Sequence, residues 1–192
     1  MSEDRLRIAI IIGSIRTGRF GPTVANWFAA QACRHGELDV DVIDLAQTWL
    51  PDMMTDDGDT PPPVRDLAPW LAAADAFVIV TPEYNHSFPA SLKNAIDWYG
   101  DVWKAKPVGF VCYGGRAAGL RAVEALKPVF TELHAVSVRE TVSFHNYPQQ
   151  FDANGQPTDP DACNAAAKNL LDQLIWWALA LREARAKRPY GS

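Results

Sequence analysis

Apolar residues recur along this chain in two rhythms. Short, continuous, β-branched runs occupy residues 7–12 (RIAIII), 76–80 (AFVIV) and 107–113 (PVGFVCY), the pattern of central parallel strands covered on both faces. Residues 37–45 (ELDVDVIDL) alternate apolar with acidic side chains, as a more exposed strand does, and residues 134–142 form a last strand. Between these runs the spacing turns helical: over VANWFAAQACRH (residues 24–35), over a short stretch at 65–74, over residues 91–98, and over residues 116–133, where Gly119 and Pro128 interrupt it. A long final helix starts at Asp161, with Leu170, Leu174, Trp177 and Leu181 at helical spacing and with Trp176 and Trp177 as core and interface aromatics. Strands and helices alternate, and every connection is long enough for a crossover. The prediction is an α/β fold built on a doubly wound, five-stranded parallel sheet.

Composition narrows the class. The 192 residues, nearly half of them apolar, suit one domain over residues 1–192 whose core needs neither metal nor disulfide support. A net charge of -5 argues against a nucleic-acid partner. The apolar run before Gly13 is too short for a signal-peptide core or a membrane span, so a cytoplasmic location is expected. Cys33, Cys112 and Cys163 are odd in number and scattered without CxxC spacing. They are expected as free thiols, not as a disulfide framework or a zinc site. Residues 46–64 carry Trp49, two methionines, an acidic cluster from Asp52 to Asp59 and three consecutive prolines; they read as a long surface loop, either a lid or a linker.

The chemistry lies where strands end. Residues 13–23 (GSIRTGRFGPT), 81–89 (TPEYNHSFP) and 113–119 (YGGRAAG) are polar or glycine-rich, and on neighbouring strands they converge at the carboxyl edge of the sheet, where such folds bind ligands. In the first loop, Gly21 followed by Pro22 suits an N-cap and a first helical position, leaving the amides of Thr23 and Val24 free for an anion. The Ser14 hydroxyl and the Arg16 guanidinium complete a set suited to a phosphate monoester; a solvent-exposed glycine-rich turn is the plainer alternative. Neither GxxxxGK[ST] nor GxGxxG is present. In the second loop, Pro82 and Pro89 bracket Glu83, Tyr84, Asn85 and His86, whose backbone amides, with the Asn85 side chain, suit the edge of a planar heterocycle. Taken singly, Tyr84 reads as half-buried core and His86 as a surface or helix-capping residue.

GSIRTGRFGPTVANW and TPEYNHSFPASLKNAIDW together resemble the NADPH-dependent FMN reductase family of flavodoxin-like proteins, which includes quinone, chromate and azo-dye reductases; the similarity spans residues 7–119. The resemblance implies a three-layer α/β/α flavodoxin-like fold of strand order 2-1-3-4-5, FMN as cofactor, and NADPH or NADH as hydride donor. Ser14 and Arg16, with the backbone of Gly21, Pro22, Thr23 and Val24, would hold the FMN phosphate. Pro82, Glu83, Tyr84 and Asn85 would line the isoalloxazine, and Tyr113, Gly114, Gly115 and Arg116 would flank its dimethylbenzene or pyrimidine side. Many family members carry asparagine where this chain has Gly21, which implies a backbone contact here in place of a side chain. Arg116 is a candidate cation for the flavin or for a 2′-phosphate of the nicotinamide cofactor. No catalytic side chain is implied: hydride passes from the nicotinamide to flavin N5, and two electrons pass on to a quinone, free flavin or similar small-molecule acceptor in ping-pong order. Homodimers or homotetramers are expected, with residues 91–98 at the contact. Trp98, Tyr99 and Trp103 fit that interface or an intramolecular core.

Two other classes share the topology. A flavodoxin-type electron carrier would be strongly acidic around its flavin to steer protein partners, whereas this chain is mildly acidic and places arginines in the first and third loops. A flavin-supplying partner of a monooxygenase stays within the reductase reading. A phosphoacceptor receiver domain needs an acidic pair where Gly13 and Ser14 stand.

Overall fold

The computed structural model describes residues 5–36, 38–55 and 60–191. The strands are β1 (Leu6–Ile12), β2 (Leu38–Asp44), β3 (Ala76–Pro82), β4 (Pro107–Gly114) and β5 (Val136–His145). The helices are α1 (Gly21–His35), α2 (Leu45–Thr48), α3 (Pro62–Ala73), α4 (Ala90–Trp98), α5 (Leu120–Glu132) and α6 (Pro160–Lys187). All strand pairs are parallel, in the expected order β2-β1-β3-β4-β5. Strand order reverses at β1 and β3, so a crevice opens beyond their carboxyl ends.

Period-two alternation sorts the strand side chains into two cores. Ile8, Ile10, Ile12, Val78 and Val80 pack with Trp27, Phe28, Leu170 and Leu174 from α1 and α6. Ala9, Ile11, Phe77 and Ile79 pack with Leu71, Leu92, Ile96 and Leu126 from α3, α4 and α5. Each large side chain so buried contributes about 1.5–3 kcal/mol, which is why the unbroken apolar runs specify β1 and β3. A Cβ at Gly109 would lie 3.2 Å from Leu170 Cδ1, so that glycine lets α6 close onto β4.

Several boundaries differ from expectation, each for a local reason. α1 and α3 start at Gly21 and Pro62, earlier than their apolar periodicity, because proline is accommodated in a first turn. Gly119 caps α5 instead of interrupting it: its φ is 86°, and a Cβ there would fall 2.6 Å from the Tyr113 nitrogen. Pro128 stays inside that helix. β5 begins two residues later than expected and runs on to His145.

The aromatics after α4 divide. Tyr99 and Trp103 are core: the Tyr99 hydroxyl donates to the Val64 carbonyl at 2.9 Å, and the Trp103 indole donates to the Ile96 carbonyl at 3.2 Å. Trp98 is half-buried and donates to the Pro51 carbonyl at 3.0 Å. Trp176 and Trp177 lie on the open side of α6, 63% and 37% exposed, and do not join the core. Glu37, Asp56, Asp57 and Asp59 lie outside the described residues. Among the described residues no helix is long and apolar enough to cross a membrane.

Candidate functional site

β1, β3 and β4 end together. The Gly13 amide donates to the Val80 carbonyl at 2.9 Å and the Glu83 amide to the Tyr113 carbonyl at 3.0 Å, so the three loops that follow are tied at their roots. They enclose a cavity of about 410 Å³. Of the residues singled out from the sequence, Arg16, Pro82, Glu83, Tyr84, Tyr113, Gly114 and Gly115 line it; Arg19, Phe20 and Tyr147 join them.

The first loop is built differently from its expected form. Phe20, not Gly21, is the N-cap of α1, and its carbonyl accepts from the Thr23 and Val24 amides at 3.1 and 3.4 Å. Those two amides are therefore not free for an anion, and Val24 is core. Pro22 and Thr23 are half-buried and outside the cavity wall. At Gly21 a Cβ would fall 2.7 Å from Ile12 Cγ2 and 3.2 Å from the Tyr113 hydroxyl, so the position is closed to a side chain. Ser14 is fully buried, and its Oγ lies 2.7 Å from the Tyr84 hydroxyl. Arg16 is exposed at the cavity mouth with no ion pair among the described residues.

The second loop is a tight turn. Tyr84 and Ser87 exchange amide-to-carbonyl bonds of 2.9 and 3.0 Å, and the two residues between them, Asn85 and His86, both have left-handed φ, 48° and 72°. That is the type I′ hairpin pattern. The amides of Asn85 and His86 have no hydrogen-bond partner among the described residues, and both side chains are exposed. Glu83 lines the cavity while its carboxylate is engaged by α5. Its carboxylate accepts from the Arg121 amide at 3.3 Å and pairs with the Arg121 guanidinium at 3.2 Å, placing negative charge at the N-terminus of α5, where it is favoured.

The third loop closes over the second. A Cβ at Gly114 would lie 2.9 Å from the Gly119 nitrogen, and the Gly115 carbonyl accepts from Ala118 and Asn146 at 3.2 and 3.3 Å. Arg116 is exposed and outside the cavity wall. Tyr113 is buried among Phe20 and Tyr147, with ring centroids 6.2 and 5.1 Å away. Burial pushes its phenol well above the ordinary range; Tyr84 and Tyr147 add to this, and the Arg19 guanidinium opposes it. The Gly21 backbone amide also opposes it by facing the hydroxyl, but the hydroxyl proton has no acceptor among the described residues, and Arg19 Nε is buried without a partner among them. The far end of Arg19 is held by Asp44 at 2.5 Å.

Thr17, Gly18, Arg19, Phe20 and Tyr147 line the cavity without being marked by the sequence pattern. Arg19 and Phe20 stand inside the quoted first loop. Tyr147 could have been found from topology, because β5 ends at the same edge as β4. The cysteines are free, as expected, and burial pushes the Cys112 thiol up to about 12, so it is inert at neutral pH. No metal-binding cluster occurs among the described residues.

This donor set suits one kind of ligand. Orphaned buried donors and an exposed arginine suit an anionic tail. A turn with outward amides, beside glycines that admit no side chain, suits the edge of a flat ring. The cavity volume is in the range of ligand sites, roughly 300–1,000 Å³. The family described as NADPH-dependent FMN reductase matches residues 6–149. An NAD(P)H-dependent FMN reductase of Schizosaccharomyces pombe is 38% identical over 59% of this chain and 60% of that protein. A probable NADPH:quinone oxidoreductase of Oryza sativa subsp. japonica is 31% identical over 94% of this chain and 93% of that protein. Among solved structures, the flavoenzyme NAD(P)H:(acceptor) oxidoreductase FerB of Paracoccus denitrificans superposes with a TM-score of 0.72 at 25% identity, covering 91% of this chain and 98% of that one.

Proposed function

This chain belongs to the NADPH-dependent FMN reductase family, and from that premise we propose that the cavity beyond β1, β3 and β4 is its FMN site. It is an FMN-dependent NAD(P)H oxidoreductase of the quinone-reductase kind. The observation that carries the site assignment is the convergence of all three loops on one cavity that has an open mouth and unpaired donors in its wall. FMN, when bound, supplies the hydride chemistry, and the chain positions it.

Each part of the wall then has a task. Arg16 at the mouth neutralises the phosphate tail. Asn85 and His86 lie outside the cavity wall, next to Tyr84 on it, and their amides would meet the polar edge of a bound ring and stabilise negative charge there, as oxyanion-hole donors do. The Ser14–Tyr84 hydrogen bond fixes the floor on which the ring rests. A cavity of this size, once it held FMN, would admit nicotinamide and acceptor in turn, which supports ping-pong order. Arg16 and Arg116, both exposed, make the rim unlike the acidic surface of a protein-steering electron carrier.

An exposed apolar strip formed by Ile15 (54%), Trp49 (81%), Met53 (76%) and Met54 (48%) supports a homo-oligomer. Part of it borders a cleft of about 730 Å³ against Ala90, Ser91 and Asn94 of α4, and patches of this kind mark association surfaces. Light scattering should give at least a dimer. Free cysteines support a reducing, cytoplasmic setting.

The test of the whole reading is optical. Purified protein with added FMN should retain the flavin spectrum through gel filtration, and anaerobic NADPH should bleach it, with restoration by a quinone. Protein that binds no FMN at micromolar concentration overturns the site. Retained FMN that NADPH fails to bleach overturns the reductase assignment in favour of a carrier.

A further inference from the structure

We infer that Tyr113 is a ligand of the cofactor's anionic tail: its hydroxyl, reaching across from β4, donates to a phosphate at the N-terminus of α1, beside the Nε–H of Arg19. The inference rests on the FMN reading and changes what that reading says of this residue, which was expected to flank the ring. Its geometry points elsewhere. The Tyr113 side chain enters the α1 and α6 layer, and its hydroxyl comes to rest against Gly21 at the start of α1.

Three observations converge there. Tyr113 is only 2% exposed, and the group that faces its hydroxyl is the Gly21 backbone amide, itself a donor, so the hydroxyl proton has no acceptor among the described residues. Buried polar groups are nearly always paired, so an orphaned one on a cavity wall signals a missing acceptor. The second orphan, Arg19 Nε, belongs to a residue on the same wall, close enough for its charge to act on the Tyr113 phenol. Asp44 engages only the Nη2 end of that guanidinium and leaves the Nε–H unspent. An arginine N–H can only donate, and a helix start favours negative charge, so the group that satisfies this corner is rich in acceptors and anionic. The third observation is steric. Gly21 admits no side chain, and the Tyr113 oxygen stands 3.2 Å from where its Cβ would be. The hydroxyl from β4 therefore takes over a contact that position 21 cannot make.

The experiment compares FMN with riboflavin, which lacks the phosphate, by fluorescence titration of the apoprotein. Tyr113→Phe keeps the ring and removes only the donor. It should weaken FMN by about 10- to 100-fold, the scale of one hydrogen bond to a charged group, and leave riboflavin affinity unchanged. Its apoprotein should melt close to the wild-type temperature, because the buried hydroxyl that is lost spends its proton on no protein acceptor. Arg19→Lys keeps a cation for Asp44, removes the Nε–H, and should show the same selective loss of FMN. Unchanged FMN affinity in Tyr113→Phe, or equal weakening of FMN and riboflavin, overturns the role of Tyr113 while the flavin site stands. Wild-type protein that binds neither flavin overturns both.

Discussion

His86 holds a φ of 72° and its neighbour Asn85 one of 48°, a region that costs a residue with a Cβ about 1–2 kcal/mol. The two amide-to-carbonyl bonds between Tyr84 and Ser87 hold the turn against that cost, and what the strain obtains is a pair of amides facing outward. Strain of this kind gathers at functional sites. Glycine is the preferred residue at the second centre of such a turn, so His86→Gly should raise the unfolding free energy of the apoprotein by about 0.5–1 kcal/mol, read from urea denaturation. A loss of stability would show that the imidazole makes a contact the backbone argument ignores. Arg16 is the opposite case, an exposed side chain with no ion pair among the described residues, proposed above as a phosphate contact. Arg16→Ala should weaken FMN binding by about 1.5–3 kcal/mol, with a shallower salt dependence than wild type; unchanged affinity would remove Arg16 from the phosphate contacts. Residue types at both positions were legible in the sequence. What Ser14 does was not, because its hydroxyl is committed to Tyr84, a partner 70 positions away, and no local pattern encodes that pairing.

The elements were legible where one force dominates. β1 and β3 are buried on both faces, so hydrophobicity alone writes their extent, and Gly21 with Pro22 marks the start of α1 to within a residue. Ambiguity arose where one residue type serves two ends. Tyr99 and Trp103 could have faced a partner subunit; they are core because their polar atoms reach backbone carbonyls at Val64 and Ile96, which sequence cannot display. Residues 46–64 read as either lid or linker, and their first part proves anchored: Asn94 and Trp98 of α4 both donate to the Pro51 carbonyl at 3.0 Å. Glu83 supplies the clearest reassignment. It lies in the second loop, and its carboxylate anchors α5 through Arg121, with Gly119 as that helix's N-cap. Arg121 is half exposed, so the ion pair itself counts for little, and the larger part is charge at a helix N-terminus. Glu83→Gln should cost about 0.5–1 kcal/mol of stability, measured by thermal unfolding of the apoprotein. A severalfold loss of riboflavin affinity at unchanged stability would instead return Glu83 to the ring.

Across the whole molecule the two ends of the sheet are treated oppositely. At the carboxyl end, Arg19 Nε and the Tyr113 hydroxyl proton are buried without an acceptor among the described residues. The amino end is sealed: Asp75 accepts from the Arg7 amide at 3.1 Å and pairs with Arg182 and Arg185 at 3.5 Å, while buried Lys106 donates to the Leu71 and Ala72 carbonyls at 3.3 and 2.9 Å, closing the last turn of α3. That seal carries a cost that pH can remove. Burial, with the Arg185 charge adding and Asp75 opposing, lowers the Lys106 ammonium from 10.5 to about 8. Below that value folded and unfolded chains both hold the proton, and the full penalty of burying the charge applies. Above it the folded chain releases the proton while the unfolded chain keeps it up to 10.5, so the unfolded state binds more protons and stability rises with pH. The rise is bounded from above. Cys112 and Tyr99 are held neutral in the fold up to about 12 against ordinary values of 9.0 and 10.0, and their ionisation in the unfolded chain lowers stability as pH passes those values. The window for Lys106 is therefore about pH 8 to about pH 9, where wild type should gain up to about 1 kcal/mol relative to Lys106→Met. Denaturant titrations of both proteins across about pH 7 to about pH 9 check it, and parallel curves would mean that Lys106 stays charged inside the fold.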